Sequence, residues 1–455
     1  MTTAHRDAAL IGRTDVGPRP LPPLGAARTA AELELVARTL PSGLRVIAVA
    51  RRTVPTVELR LRIPFAGAER SRAARAELLA ATLLSGTAGR DRVRIDDELA
   101  AIGGDLGAGV DPERLMISGS ALAVGLPTLL EVLADVLTSA AYPDEECARE
   151  RERLMERIAV ARAQPRTVAR EALQRRRYGD HPTTRELPES PDVAAVAPPD
   201  LRELHAAAVL PSGSTLVLVG DIDPERAIAV VGEALGGWSP VGIATEMPPL
   251  PALSGADLLL VHRPGAVQSQ LRLSAAAVPR TDPRYPALQL ANLVLGGYFS
   301  SRLVENLRED KGYTYSAHSM LEFSPSGAAL LVETDVTTDI TAAAVLETRY
   351  ELARLSAVPP TEAEIESARN YAIGSLLISL DSQPGLAGTL CALAGVGLDA
   401  AWLRGHPGRL ESVTPDQVAE AAAEFFTPTA FTGVVVGDAD VVGGRLSALG
   451  GIELK

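Results

Sequence analysis

Leu216-Val217-Leu218-Val219-Gly220-Asp221-Ile222-Asp223 reads as a short buried strand running into a Gly-Asp turn, and the phrase returns as Val434-Val435-Val436-Gly437-Asp438-Ala439-Asp440. A helical pattern opened by Pro199-Asp200 precedes the first copy, and one opened by Pro415-Asp416 precedes the second. Proline in the first turn and an acid near the positive end of the helix dipole are both helix-start signals. The same helix, strand and turn recurring about one domain length apart imply a duplicated unit.

Between the copies, Pro240 to Leu253 holds four prolines and no sustained periodicity, which predicts an extended linker. The expected organisation is an extended arm at 1–29 (Pro18, Pro20, Pro22, Pro23), a first domain at 30–238, the linker at 239–254, a second domain at 255–446 and a tail at 447–455. In the first domain, Gly43 to Ala50 and Val57 to Ile63 have strand length. Thr56, Glu58, Arg60 and Arg62 alternate with Val57, Leu59, Leu61 and Ile63, so one face is apolar. Helices are expected at Ala73 to Leu84, Gly125 to Leu137 and Pro143 to Ala163, with a strand at Arg114 to Ala121. The second domain offers strands at Gln268 to Ala276, Tyr313 to Phe323 and Ala328 to Asp335. Its helices fall at Pro286 to Leu295, Thr341 to Leu355 and Thr361 to Leu377. Short turns between strands favour antiparallel pairing, so the fold class is α+β: two homologous α/β-sandwich domains, mainly antiparallel sheets with packed helices.

The 455 residues are 46% hydrophobic and 22% charged, which excludes disorder and calls for more than one core. A formal charge of 44 − 57 = −13 argues against nucleic acid as a partner. The basic run Arg175-Arg176-Arg177 reads as a solvated helix face. Cys147 and Cys391 are too few for a disulfide scaffold, and no apolar run reaches the length of a membrane span, so a cytoplasmic protein without a membrane partner is expected. Gly104, Gly107 and Gly109 lack the spacing of a phosphate loop, and no G-x-S-x-G elbow occurs.

Three stretches resemble the pitrilysin or insulinase (M16) family of zinc peptidases, in particular its two-domain subfamily that includes the mitochondrial processing peptidase. They are Glu77 to Thr87 (ELLAATLLSGT), Ile102-Gly103-Gly104-Asp105, and Tyr142 to Arg151 (YPDEECARER). In that family a helix carries His-x-x-Glu-His, whose two ligands lie one turn apart beside a water-activating Glu, and a further Glu comes from a later helix. The resemblance places those positions on Glu77, Ala80, Ala81 and Arg157, none of which restores the ligand set, so no metal is expected on this chain. The six histidines include no pair three or four residues apart. Glu77 and Arg157 are expected either to pair across the vacated site or to be unrelated solvated charges.

Ser300 to Ser316 (SSRLVENLREDKGYTYS) resembles the family's Arg/Tyr segment, and the spacing places the pair at Arg308 and Tyr315. Guanidinium and phenol are donors suited to a substrate carbonyl and to charge developing on it. The alternative is structural: Arg308 and Lys311 stand in the last turn before Gly312, where cations cap carbonyls. The resemblance implies a zinc-free subunit of a heterodimeric peptidase. Arg308 and Tyr315 would serve as catalytic and substrate-binding residues for peptide hydrolysis, on leader, precursor or short unfolded peptides. The zinc cofactor would sit in a partner subunit carrying His-x-x-Glu-His. A non-enzymatic scaffold or peptide-binding pseudopeptidase is the other reading.

Overall fold

The computed structural model describes residues 33–239 and 247–454, so the expected arm at 1–29 and residues 240–246 of the expected linker lie outside the described residues. Each half builds one six-stranded sheet. The first runs in the order β1-β2-β6-β3-β5-β4, from β1 (Leu35–Thr39), β2 (Arg45–Ala50), β3 (Thr56–Pro64), β4 (Asp105–Val110), β5 (Arg114–Leu122) and β6 (Thr215–Gly220). The second runs β12-β7-β11-β8-β10-β9, from β7 (Leu258–His262), β8 (Gln268–Ala276), β9 (Ala317–Ser324), β10 (Gly327–Thr337), β11 (Thr432–Gly437) and β12 (Ile452–Leu454). Pairing is antiparallel except for β2 with β6, β7 with β11 and β7 with β12. The α+β duplication expected from the sequence is thus observed. β12 falls in the stretch read as a tail, where three residues carry too little pattern to reveal a strand.

The duplication extends to single side chains. Arg60 on β3 donates Nη1 to the carbonyls of Leu59 (2.7 Å) and Gly119 (3.3 Å) and Nη2 to Glu58 (2.8 Å). Arg272 on β8 donates Nη1 to Leu271 (2.8 Å) and Thr334 (3.2 Å) and Nη2 to Gln270 (3.0 Å). The registers agree, since Leu59 faces Gly119 as Leu271 faces Thr334.

Val57, Leu59, Leu61 and Ile63 point from β3 into the first core and are fully buried. Burial of each such side chain contributes about 1.5–3 kcal/mol, and a slip of one residue would turn all four outward. The helices that position the site are α1 (Arg72–Thr82), α2 (Asp144–Ala163), α3 (Pro165–Tyr178), α4 (Tyr285–Asn292), α5 (Glu362–Asp381) and α6 (Gln383–Ala394). The pair α1 and α2 pack together in the first half, and α4 packs on α5 in the second. Pro165 and Pro384 stand in the first turns of α3 and α6 and force the chain to change direction there. The axis turns by 111° between α5 and α6.

These two turned helices cross to the opposite half: α3 covers β8 and β11, and α6 covers β3 and β6. The polar face of β3, which the alternation assigns to solvent, is therefore roofed. Gln383 of α6 accepts from Thr56 Oγ1 at 2.6 Å and donates to the carbonyls of Arg51 (2.6 Å) and Val54 (3.1 Å). The Arg175 to Arg177 run departs from its expected role as a solvated face. Arg177 is buried against Glu322 of β9 (2.7 Å), and Arg176 pairs with Glu453 of β12 (2.7 Å). A run of cations on α3 reads as solvent-facing only until the acids of the other half are placed opposite it.

Candidate functional site

Two places carry the residues singled out from the sequence. On α1, Glu77 is half-buried, Ala80 is buried and Ala81 is half-buried, while Arg157 is exposed on α2. Glu77 lines a hollow of about 30 Å³ with Phe65, Arg72, Asp111, Arg185 and Glu186. Burial raises its carboxyl above the ordinary carboxylate range, and the Arg157 charge pulls it partly back. Arg157 lies on a separate hollow with Glu150, Arg153 and Val160.

No ion pair within 4.0 Å joins Glu77 to Arg157, so the structure removes the pairing across the vacated positions. Zinc does not fit this set: Ala80 and Ala81 have no donor atom, a guanidinium cannot ligate a cation, and one half-buried carboxylate remains.

In the second half, α4 gives way at Asn292 to a π-helical stretch, Leu293–Gly297, earlier than the expected helix to Leu295. A helical segment resumes at Arg302, as expected for the Ser300-Ser301 start, and its later part, Val304–Asp310, is again π-helical. Such bulges are frequent at functional sites. Asn306 ties this segment to the Thr341–Ala357 helix through Glu347 (3.1 Å) and Glu351 (2.7 Å).

The helical segment ends on Gly312, whose φ of +62° needs glycine, and Tyr313 N donates back to Leu307 O at 2.9 Å. Residues 313–316 then form a connector; the strand expected from Tyr313 starts only at Ala317. Thr314 Oγ1 holds the connector against β10, donating to Asp335 O at 2.6 Å. Its neighbour Tyr315 projects outward and is 92% exposed.

Arg308 and Tyr315 are brought together. The Arg308 guanidinium lies 5.2 Å from the Tyr315 ring centroid and 5.0 Å from that of Phe299. Its ion pair is with the adjacent Glu309, at 3.4 Å. The structural alternative for Arg308, capping the helix end, is not what its side chain does. The carbonyls of Asn306, Leu307 and Arg308 are met by the backbone N–H groups of Lys311, Tyr313 and Gly312, and Lys311 turns to Glu347 at 3.5 Å. What remains is a partly exposed guanidinium between two rings and a phenol at the surface.

Arg308 and Tyr315 do not line the cavity of about 390 Å³ between the halves, around Arg177, Tyr178, Glu113, Glu322 and Phe323. Charged residues of its wall pair with one another, Arg177 with Glu322 and Arg170 with Glu186. It shares Val110, Asp111, Pro112 and Glu186 with the hollow beside Glu77, so a continuous trough leads from α1 to the seam. Cys147 and Cys391 are buried, and burial pushes the Cys391 thiol up to about 11, which suits packing rather than redox chemistry.

Residues 69–190 match the insulinase family (peptidase family M16), and residues 195–371 match the peptidase M16 inactive domain. The structure resembles the crystal structure of a peptidase M16 inactive domain from Pseudomonas fluorescens, with a TM-score of 0.81 at 22% identity over 89% of this chain and 98% of that one. It is equally similar to a protease from Helicobacter pylori, with a TM-score of 0.81 at 18% identity over 89% of this chain and 99% of the other. An uncharacterized zinc protease of Mycobacterium leprae is 25% identical over 75% of this chain and 78% of its own length. YmxG of Bacillus subtilis, also named an uncharacterized zinc protease, is 26% identical over 65% of this chain and 72% of its own. The chain belongs to peptidase family M16, and its residues 195–371 are of the inactive-domain type. Among the described residues no single helix is long and apolar enough to cross a membrane.

Two residues of this arrangement escaped the sequence reading. Gln383 had a visible signal, because Gln164-Pro165 and Gln383-Pro384 repeat at matching places in the two halves. Phe299 had none; beside Tyr298 and nine residues before Arg308 it looks like core until its exposure is seen.

Proposed function

We propose that this chain is the zinc-free, substrate-gripping subunit of a heterodimeric peptidase, completed by a separate chain that carries His-x-x-Glu-His and the metal. The observation that carries the reading is the Arg308 and Tyr315 pair. A guanidinium bracketed by rings stands next to a phenol that is 92% exposed, and neither is used to hold the fold. Both groups donate, so the ligand they suit is an acceptor such as the carbonyl of an extended peptide. Donors fixed before the substrate arrives help most where negative charge develops on that oxygen. Leader, precursor or short unfolded peptides are the substrates such a surface would take.

The test mixes this chain with a zinc-bearing two-domain partner and follows peptide cleavage. Neither chain alone should cleave, and the mixture should. Arg308→Ala should lower kcat/KM by about 100-fold, the scale of one lost oxyanion donor, and Tyr315→Phe by about 10-fold. Turnover unchanged in both variants would sink the proposed roles.

A further inference from the structure

The aromatic side chain on the far side of Arg308 has no role in the reading above. Tyr298 is extended (φ −153°, ψ 175°), and consecutive side chains of extended backbone point to opposite sides. Tyr298 turns inward and stacks on Tyr371 of α5, with ring centroids 5.1 Å apart and planes at 29°. Phe299 is thereby sent outward. It is 63% exposed, and its ring centroid lies 5.0 Å from the Arg308 guanidinium. A large apolar ring held in water by a neighbour's stacking has given up burial that a looser backbone would have allowed.

We propose that Phe299 is the specificity-determining residue of the clamp, forming with Tyr315 an aromatic notch that takes an apolar or aromatic side chain of the peptide whose carbonyl Arg308 holds. This rests on the reading of Arg308 and Tyr315 as a peptide clamp. Phe299 acts in two ways. It positions Arg308, because a guanidinium touching two rings keeps its plane fixed and offers its N–H edge outward. It also supplies apolar area beside that edge, so a peptide residue flanking the gripped carbonyl is sorted by hydrophobicity. Glu309, the nearby acid at 3.4 Å, leaves the guanidinium other N–H groups with which to bind a neutral acceptor.

The test measures binding of short fluorescein-labelled peptides to the isolated full chain by fluorescence anisotropy, using two peptides identical except for Phe or Ser at one central position. The wild type should bind the Phe peptide about tenfold more tightly, the scale of one partly buried aromatic. Phe299→Ala should reduce that ratio to about twofold and weaken both peptides. Phe299→Leu should keep most of the ratio, because apolar area remains, yet still weaken both peptides, because the π face over Arg308 is gone. Phe299→Tyr should restore both properties. Because Phe299 is exposed, the variants should melt with the wild type. A ratio unchanged by Phe299→Ala would overturn the notch. Arg308→Ala should weaken both peptides equally. If it changes neither affinity while Phe299→Ala still abolishes the ratio, the clamp fails and the notch stands. Failure of the wild type to bind either peptide would overturn both.

Discussion

Arg60 in the first half and Arg272 in the second reach corresponding pairs of backbone carbonyls, whereas the two candidate sites share no such correspondence. α2 turns Arg149, Glu152, Arg153, Glu156 and Arg157 to solvent; α5, also 20 residues long, shows Tyr371, Leu377 and Ile378. The difference teaches where a duplicated fold is free to diverge. A guanidinium inside a sheet must keep its carbonyls and acids, since losing them leaves unpaired groups in a medium that cannot solvate them. Glu77 and Arg157 face a hollow and solvent, where the fold constrains a side chain less, whereas Ala80 packs in the core. Phe299 and Tyr315 are likewise exposed, 63% and 92%, and face little constraint from folding.

The largest effect expected from breaking the likeness is at Arg272, which is buried and pairs with Glu333 (2.9 Å) and Asp335 (2.7 Å). Arg272→Ala should cost about 3 kcal/mol in urea unfolding, the low end for a broken buried pair because both acids keep some access to water. Arg60→Ala should cost less, about 2 kcal/mol, since Arg60 is less enclosed and loses one acid partner, Glu58. Equal costs would mean that the shared backbone bonds dominate and the acids contribute little.

A second break tests the crossing helices. Gln383→Ala removes one acceptor and two donor contacts from α6 to β3 and its approach, and should cost about 1–3 kcal/mol. If α6 serves as a roof for the first sheet, amide exchange should rise in β3 and β6 of the first half although the substitution lies in the second. Faster exchange confined to α6 would show that the roof is dispensable.

How much of this was legible follows from the range of the physics. The apolar face of β3 was readable because Val57, Leu59, Leu61 and Ile63 alternate locally. The covering of its other face was not, because Thr56 meets Gln383 across 327 residues, and nothing near Thr56 announces a helix from the other half. The burial of Arg177 was hidden for the same reason. Arg308 and Tyr315 were singled out by the resemblance of their segment and its spacing, and their side chains do meet. Phe299 was not, because its exposure depends on Tyr298 stacking on Tyr371. Glu77 and Arg157 lie on the packed helices α1 and α2, but no ion pair within 4.0 Å joins them, which the sequence does not reveal.

The smallest effect is at Glu77, and its sign carries the information. Burial raises the folded-state pKa of this carboxyl, and the Arg157 charge offsets that only in part. A carboxyl whose pKa is raised on folding costs stability while ionised, and the cost fades as pH falls through the folded value toward the ordinary one. Glu77→Gln should therefore stabilise the chain slightly at pH 7, by at most about 0.5 kcal/mol, and the gain should shrink as the pH is lowered toward 5. An ion pair with Arg157 predicts the reverse, a loss at pH 7 that disappears in acid. Urea midpoints of the two proteins at pH 7 and pH 5 decide between them, and a destabilised variant at pH 7 would return Arg157 to the site from which the structure removes it.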